Sequence, residues 1–241
     1  MRVLILQHMS TGHAWHLGEL LEACGCATTT VRLDLGERLP AVESFDALWV
    51  LGGAMQVWEE DLHPWLVDEK RFIREAVLSG TPYLGICLGH QLLADAMGGE
   101  VGLAKEPEIG IFDVSTLEIG TTHPALRGTS VAPRLQWHKA EVTRPPPGFS
   151  ILASSSRCPI QALAQNDAIC SVQYHVEVDD ETIPAWCENE SARDALVDAF
   201  GSSGPTHLER SASSHMAHLK SHAQSFQSGW LAAARTHLAA T

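Results

Sequence analysis

Residues 84–91 read Leu-Gly-Ile-Cys-Leu-Gly-His-Gln, a cysteine between two glycines where an apolar run gives way to helical periodicity. A thiol placed there can act as a nucleophile. Pro82, Tyr83, Leu84, Gly85 and Ile86 suit a short buried strand, while Leu92, Leu93, Ala94 and Met97 continue as an apolar helix face, so Cys87 falls at the turn between them. Such a turn needs small neighbours, because a Cβ at Gly85 or Gly89 would crowd the backbone and an approaching substrate. The same turn aims the sulfur at a helix N-terminus, where unpaired amide hydrogens favour a thiolate. The plainer alternative is a structural cysteine, since cysteine is among the residues most often fully buried.

A thiol attacks a carbonyl efficiently when a base takes its proton and a third group orients that base. Gln173-Tyr174-His175-Val176-Glu177 offers both, because the strand period of two puts His175 and Glu177 on one side and Val176 on the other. The Glu177 carboxylate would accept one ring N–H and hold the other nitrogen toward sulfur; a solvated surface pair is the alternative. A carbonyl oxygen that turns negative needs donors, and backbone amides suffice. The amides of Leu88, at the start of the helix after the cysteine, and of Gly53, in the loop after a third strand, are the candidates. Here glycine would allow the orientation that aims the amide inward. A tight turn at Gly52-Gly53 is the competing reading.

These groups are far apart along the chain and need a frame that gathers them. The pattern predicts strands at 3–6, 28–33 and 47–51, and helices at 15–24 and 64–78, the latter ending at Ser79-Gly80. Alternating strands and helices imply βαβ units and a largely parallel sheet covered on both faces, with functional groups at the carboxyl ends of its strands. Residues 101–142 change texture to short apolar runs, including 109–114 and 117–119, which read as antiparallel strands added at one end. Further strand candidates, 151–153, 161–164 and 169–174, follow the stiff Pro145-Pro146-Pro147-Gly148 turn. Gly, Ser and Pro accumulate between 200 and 214, implying a flexible crossing, or a lid over the site, before a terminal amphipathic helix with Leu219, Phe226, Trp230 and Leu231. Trp58, Trp65 and Trp230 read as core rather than as an interface.

A chain of 241 residues suits one α/β core of about 200 residues. Its 16 Lys and Arg against 29 Asp and Glu give a formal charge of -13, which opposes nucleic-acid and membrane-surface binding and favours a small-molecule substrate or protein partners. The 13 histidines are scattered, with no ligand pair beside cysteines in zinc spacing, so no metal and no cofactor are assigned. Six cysteines are too sparse for a disulfide scaffold, and reduced thiols in a cytoplasm are the expectation. Four apolar residues after Met1-Arg2 are too few for a signal peptide and read as a buried strand.

Leu51-Gly52-Gly53, the Gly85 to Gln91 motif and Gln173-Tyr174-His175-Val176-Glu177 together, in this order, resemble the class I (triad) glutamine amidotransferase family over about residues 45 to 180. Trp137-His138-Lys139-Ala140-Glu141-Val142 and Gln161-Ala162 are similar to the branch that contains the amidotransferase domain of GMP synthetase. The resemblance implies a flavodoxin-like α/β fold, a mostly parallel central sheet with a few added antiparallel strands, in an amidotransferase-like domain over 1–200. Residues 201–241 would be a helical extension packed on or crossing it. It implies glutamine or γ-glutamyl amide hydrolysis through a cysteine thioester, with Cys87 as nucleophile, His175 as acid/base, Glu177 as its orienter and the Gly53 and Leu88 amides as oxyanion hole. Gln91, Gly52 and His138 would bind substrate. Two positions depart from the family pattern: Val176 and Ala54 stand where proline is usual, which puts pocket shape rather than the reacting atoms in doubt. With no Gly-x-x-x-x-Gly-Lys-[Ser/Thr] loop and no second large domain, the expected ammonia acceptor is a separate synthetase subunit, unless the chain is a hydrolase acting alone. A catalytically inactive binding module of the same fold is the remaining alternative.

Overall fold

A computed structural model of the chain describes residues 1–128 and 130–240, the Ser191 side chain excepted. Its first half alternates as the apolar pattern requires: β1 (Arg2–Gln7), α1 (Trp15–Ala23), β2 (Ala27–Arg32), β3 (Ala47–Val50), α2 (Trp65–Leu78), β4 (Tyr83–Ile86) and α3 (Leu88–Ala96). Then come β5 (Glu100–Thr116), α4 (Glu118–Thr122), β6 (Val131–Arg144), β7 (Ser150–Ser155), β8 (Ala162–Ala164), β9 (Ile169–Val172), α5 (Thr182–Trp186), α6 (Glu190–Phe200) and α7 (Gly204–Ala240).

Among the described residues the strands form one nine-stranded sheet in the order β2-β1-β3-β4-β9-β8-β7-β5-β6. The first five are mutually parallel and the last four join antiparallel. This is the flavodoxin-like α/β fold with an antiparallel extension. Its strands are buried on both faces, so β3 and β4 are apolar throughout rather than alternating with polar residues. Val3 and Ile5 of β1 pack with Leu17 and Leu21 of α1 and with Phe226 and Trp230 of α7, whereas Leu4 and Leu6 pack on the other face with Leu66, Phe72 and Ile73 of α2 and Leu92 of α3. Trp230 is wholly buried, its indole N–H shared between the Tyr83 and Ala168 carbonyls at 3.2 and 3.1 Å. Trp58, by contrast, is 45% exposed and is not part of the core.

Two segments differ from the pattern-based expectation. Leu117-Glu118-Ile119 is not a strand: Leu117 is the extended residue before α4, which packs on β7 with the Gly120 backbone against Leu152. Residues 204–214 are not a flexible crossing either, because α7 begins at Gly204. There the helix lies so close to α6 that a Cβ on Gly204 would stand 2.1 Å from the Leu196 carbonyl oxygen. Leu208, Ala212, Met216 and Leu219 then repeat along one face of α7 and cover Ile109, Leu135, Val178, Ile183 and Leu196. Burial of that stripe overrides the local Gly/Ser/Pro composition. The strand expected over 169–174 stops at Val172. No helix among the described residues is long and apolar enough to cross a membrane.

Where α7 crosses the extension, Arg134 of β6 is buried without a carboxylate partner among the described residues; its guanidinium donates to His222 at 3.1 Å and His218 at 3.2 Å and lies over the Tyr174 ring. Burial, Arg134 and His218 hold His222 well below its ordinary value, and burial leads the lowering at His218 and His123 too. Burial pushes His90 down to about 3. The folded protein thus refuses protons that the unfolded chain accepts near pH 6.5, so stability should fall as pH drops below that value. His8 and His175, held upward, stay protonated in both states between pH 5 and 6 and add little slope there. Melting temperatures should decline across this window, each refused proton contributing up to about 1.4 kcal/mol per pH unit, and His222→Gln should flatten the decline. An unchanged slope in that variant would contradict this account.

Candidate active site

Cys87 joins β4 to α3 with φ 52° and ψ −102°, a left-handed-side conformation that a non-glycine residue holds only when its surroundings fix it. Those surroundings are unyielding backbone. The Cys87 amide donates to the Val172 carbonyl at 2.9 Å, and its carbonyl accepts from the His90 and Gln91 amides of the first helical turn. A Cβ on Gly85 would lie 2.6 Å from the Gly89 oxygen, and one on Gly89 only 2.1 Å from the Val50 oxygen, so neither position has room for a side chain. The thiol is 5% exposed.

His175 follows β9 and makes an isolated bridge to Leu135, its amide donating to that carbonyl at 2.8 Å. Its Nδ1 lies 2.7 Å from Glu177 Oε1, and both side chains are buried. Burial acts to lower the imidazole, but the Glu177 carboxylate and the Cys87 sulfur, both hydrogen-bonded to the ring, outweigh it and raise the ring to about 10. Val176 points away into the core beside α1 and α7, and the Glu177 backbone is tied to α1 by the His16 amide at 2.9 Å. Cys87, His175 and Glu177 therefore line one cleft, together with Gly52 and Gly53.

The two glycines are needed for space. Neither adopts a left-handed φ, contrary to the expectation that Gly53 supplies unusual backbone freedom. A Cβ on Gly52 would meet the His175 ring at 3.2 Å and Cys87 at 3.6 Å; one on Gly53 would meet Met55 at 2.6 Å, Leu88 at 2.7 Å and His8 at 3.1 Å. Gly53 and Leu88 lie side by side along the cleft next to Cys87.

The description "Glutamine amidotransferase class-I" matches residues 10–191. The chain belongs to this family. It is 41% identical to the amidotransferase-matching subunit of a glutamine-hydrolyzing GMP synthase from Sulfolobus acidocaldarius over 139 residues, 57% of this chain and 70% of that relative. The corresponding GMP synthase subunits of other organisms align over only about half of their length, 51% for the one from Sulfurisphaera tokodaii. A putative glutamine amidotransferase-like protein, YfeJ of Salmonella typhimurium, is 29% identical over 211 residues, 83% of this chain and 85% of the relative. The crystal structure of a glutamine amidotransferase from Thermotoga maritima superposes with a TM-score of 0.84 at 25% identity, covering 94% of this chain and 96% of that one.

Within this amidotransferase, Gln91 and His138 are placed at the cleft wall but are largely occupied by protein partners. Gln91 donates from Nε2 to the Ala140 carbonyl at 2.9 Å and to Gln173 Oε1 at 3.1 Å. His138 has one ring nitrogen 2.9 Å from the Ala140 carbonyl and the other 3.0 Å from Glu108 Oε2. Glu108 also accepts from Ser155 and Gln161, both at 2.7 Å. Cys158 joins Glu108 and His138 to form a group of potential metal ligands within 4.8 Å of one another. The carboxylate is already engaged three times, and burial with the Glu141 and Glu108 charges pushes the Cys158 thiol far up, so hydrogen bonds account for the cluster as it stands.

Two neighbours of the sulfur were not singled out from sequence. Gln173 directs Nε2 at Cys87 Sγ from 3.7 Å, the same distance as from Sγ to the Trp137 carbonyl. The parity that unites His175 and Glu177 includes Gln173, so the signal was present. Trp186 lies edge-on to the His175 ring at 4.7 Å and to Trp137 at 5.3 Å, its indole N–H donating to the Thr11 carbonyl. Nothing in local spacing marks it. Because Glu177 supplies the largest upward push on His175, the imidazole of the native protein should titrate near 10 by ring NMR, and Glu177→Gln should bring it down markedly. A native midpoint near 6.5 would contradict the buried pairing.

Proposed function

We propose that the chain hydrolyses the γ-carboxamide of glutamine through a thioester on Cys87. The observation that supports this most directly is the convergence of a strained, backbone-locked cysteine with a buried imidazole–carboxylate pair. Sulfur attacks the amide carbon while its proton rests on His175, and the carbonyl oxygen becomes negative between the Gly53 and Leu88 amides. As the tetrahedral species collapses, the C–N bond breaks and His175 gives its proton to the departing ammonia. Water then enters, loses a proton to the same imidazole and attacks the thioester; glutamate leaves and the thiol is restored. Glu177 orients the ring and balances its charge in both halves. Gln173, through its N–H to sulfur, fixes where the nucleophile sits, and Gln91 holds Gln173 in turn.

The relatives named as subunits of GMP synthase support a division of labour in which a separate synthetase subunit consumes the ammonia released here. Another reading has its own support. On the His175 side of the sulfur the cleft is walled by Met9, Gly12, Trp137, Trp186 and Ala192, an apolar chamber that departing ammonia does not need. That wall suits a γ-glutamyl amide whose leaving amine carries an apolar group. Ammonia release from glutamine, measured beside amine release from γ-glutamyl alkyl- and arylamides, separates the two by kcat/KM.

Cys87→Ala should abolish turnover of all these amides, lowering kcat by at least about 10⁴-fold, while the melting temperature shows an intact fold. Glutamine hydrolysis at the native rate by the folded variant would remove the assignment.

A further inference from the structure

The loop that carries the Gly53 amide has a second imidazole–carboxylate pair behind it. His8 stands one residue beyond β1 and Glu69 lies on α2; both side chains are fully buried, at 0% exposure. His8 Nε2 is 2.8 Å from Glu69 Oε1, and His8 Nδ1 is 3.1 Å from the carbonyl oxygen of Gly52. Both partners can only accept, so both ring nitrogens carry hydrogen and the ring is an imidazolium. Burial opposes that charge, whereas Glu69 foremost, then the Gly52 carbonyl and Asp34, favour it and prevail. Trp65 stacks on the ring at 5.6 Å and 17° between planes, which stops it turning away.

The Gly52 carbonyl and the Gly53 N–H are the two ends of one planar trans peptide. Holding the carbonyl from one side therefore fixes the N–H on the opposite side. A cation hydrogen-bonded to the carbonyl also withdraws charge through the peptide and makes its N–H a stronger donor.

We propose that the His8–Glu69 pair is a positioning device for the oxyanion donor, fixing the Gly52–Gly53 peptide and strengthening the Gly53 N–H toward the developing negative oxygen. This rests on the reading of Gly53 as an oxyanion donor given above. Its effect is confined to steps in which a carbonyl oxygen gains charge. Thiolate attack on iodoacetamide forms a C–S bond and expels iodide without such an oxygen, so it reports on Cys87 and His175 alone.

In the full-length protein, Glu69→Gln keeps the shape and the hydrogen bond to His8 but removes the charge that sustains the imidazolium. It should lower kcat for glutamine by about 10- to 100-fold, less than or comparable to the loss of one whole donor, with KM within about twofold. Cys87 alkylation by iodoacetamide should proceed at the native rate. Reversible inhibition by glutamate γ-semialdehyde, whose carbonyl takes up the Cys87 sulfur to give a thiohemiacetal oxygen in the same place, should weaken by a similar factor and needs no turnover. The double variant His8→Gln/Glu69→Gln, neutral on both sides and able to keep both hydrogen bonds, should show the same selective loss and serves if the single variant folds poorly. Equal losses in alkylation and turnover, or no loss in either kcat or aldehyde affinity, would overturn the proposal. Turnover that survives Cys87→Ala would instead defeat the site assignment, whatever Glu69 does.

Discussion

The structure depends on the register with which four parallel strands end. Leu6 pairs with Val50, Val50 with Gly85 and Ile86 with Val172. Counted onward past these pairs, His8, Gly52, Cys87 and Gln173 emerge level with one another at the carboxyl edge of the sheet. Their contacts follow from that row: His8 to the Gly52 carbonyl, Gly52 against Cys87, and Gln173 to the Cys87 sulfur. A one-residue slip in any of these strands would turn one member of the row to the opposite face. The buried, all-apolar strands make such a slip expensive, since every side chain of the slipped strand would exchange the α1/α7 core for the α2/α3 core.

That row explains how strain at Cys87 persists. A non-glycine residue with positive φ costs on the order of 1 to 3 kcal/mol, and the chain would relax if β4 or α3 could shift. Neither can. β4 is paired on both sides, and α3 presses on β3 with only the missing Cβ of Gly89 between its backbone and the Val50 carbonyl. The geometry of the sulfur is thus set by main-chain packing, a harder constraint than any side-chain contact around it.

Much of this was readable in the residues because it is local. The parallel half follows the apolar pattern to within a residue or two: the strands expected at 28–33 and 47–51 are Ala27–Arg32 and Ala47–Val50, and the helix expected at 64–78 is Trp65–Leu78. The glycine flanks of Cys87 and the parity of His175 and Glu177 are likewise short-range signals. What stayed hidden depends on partners distant in sequence. His8 and Glu69 meet across α2, Trp186 reaches His175 from a short helix, and Glu108 gathers His138, Ser155 and Gln161 from three segments. Residues 204–214 misled for the opposite reason: their composition signals a loop, while the stripe begun by Leu208 and Ala212 commits them to a helix against α6.

The Gly52-Gly53 loop lies between two buried imidazole–carboxylate pairs, with His175 against the first glycine and His8 against the second. Each carboxylate leaves one oxygen buried without a hydrogen-bond partner among the described residues, Oε2 of Glu69 and Oε2 of Glu177. Burying ion pairs so incompletely bonded is poor design for stability, since their desolvation is only partly offset by attraction. Placement explains it better. The front pair faces the sulfur that must lose and regain a proton; the rear pair faces the peptide whose amide must meet a transient anion. A glycine pair is the thinnest spacer the backbone offers, and it lets both charges act on the same few atoms without touching each other. On this view the antiparallel extension, which contributes the Trp137 and Ala140 carbonyls, and α5, which contributes Trp186, shape what enters the cleft, while the reacting groups are set by the ends of the parallel strands.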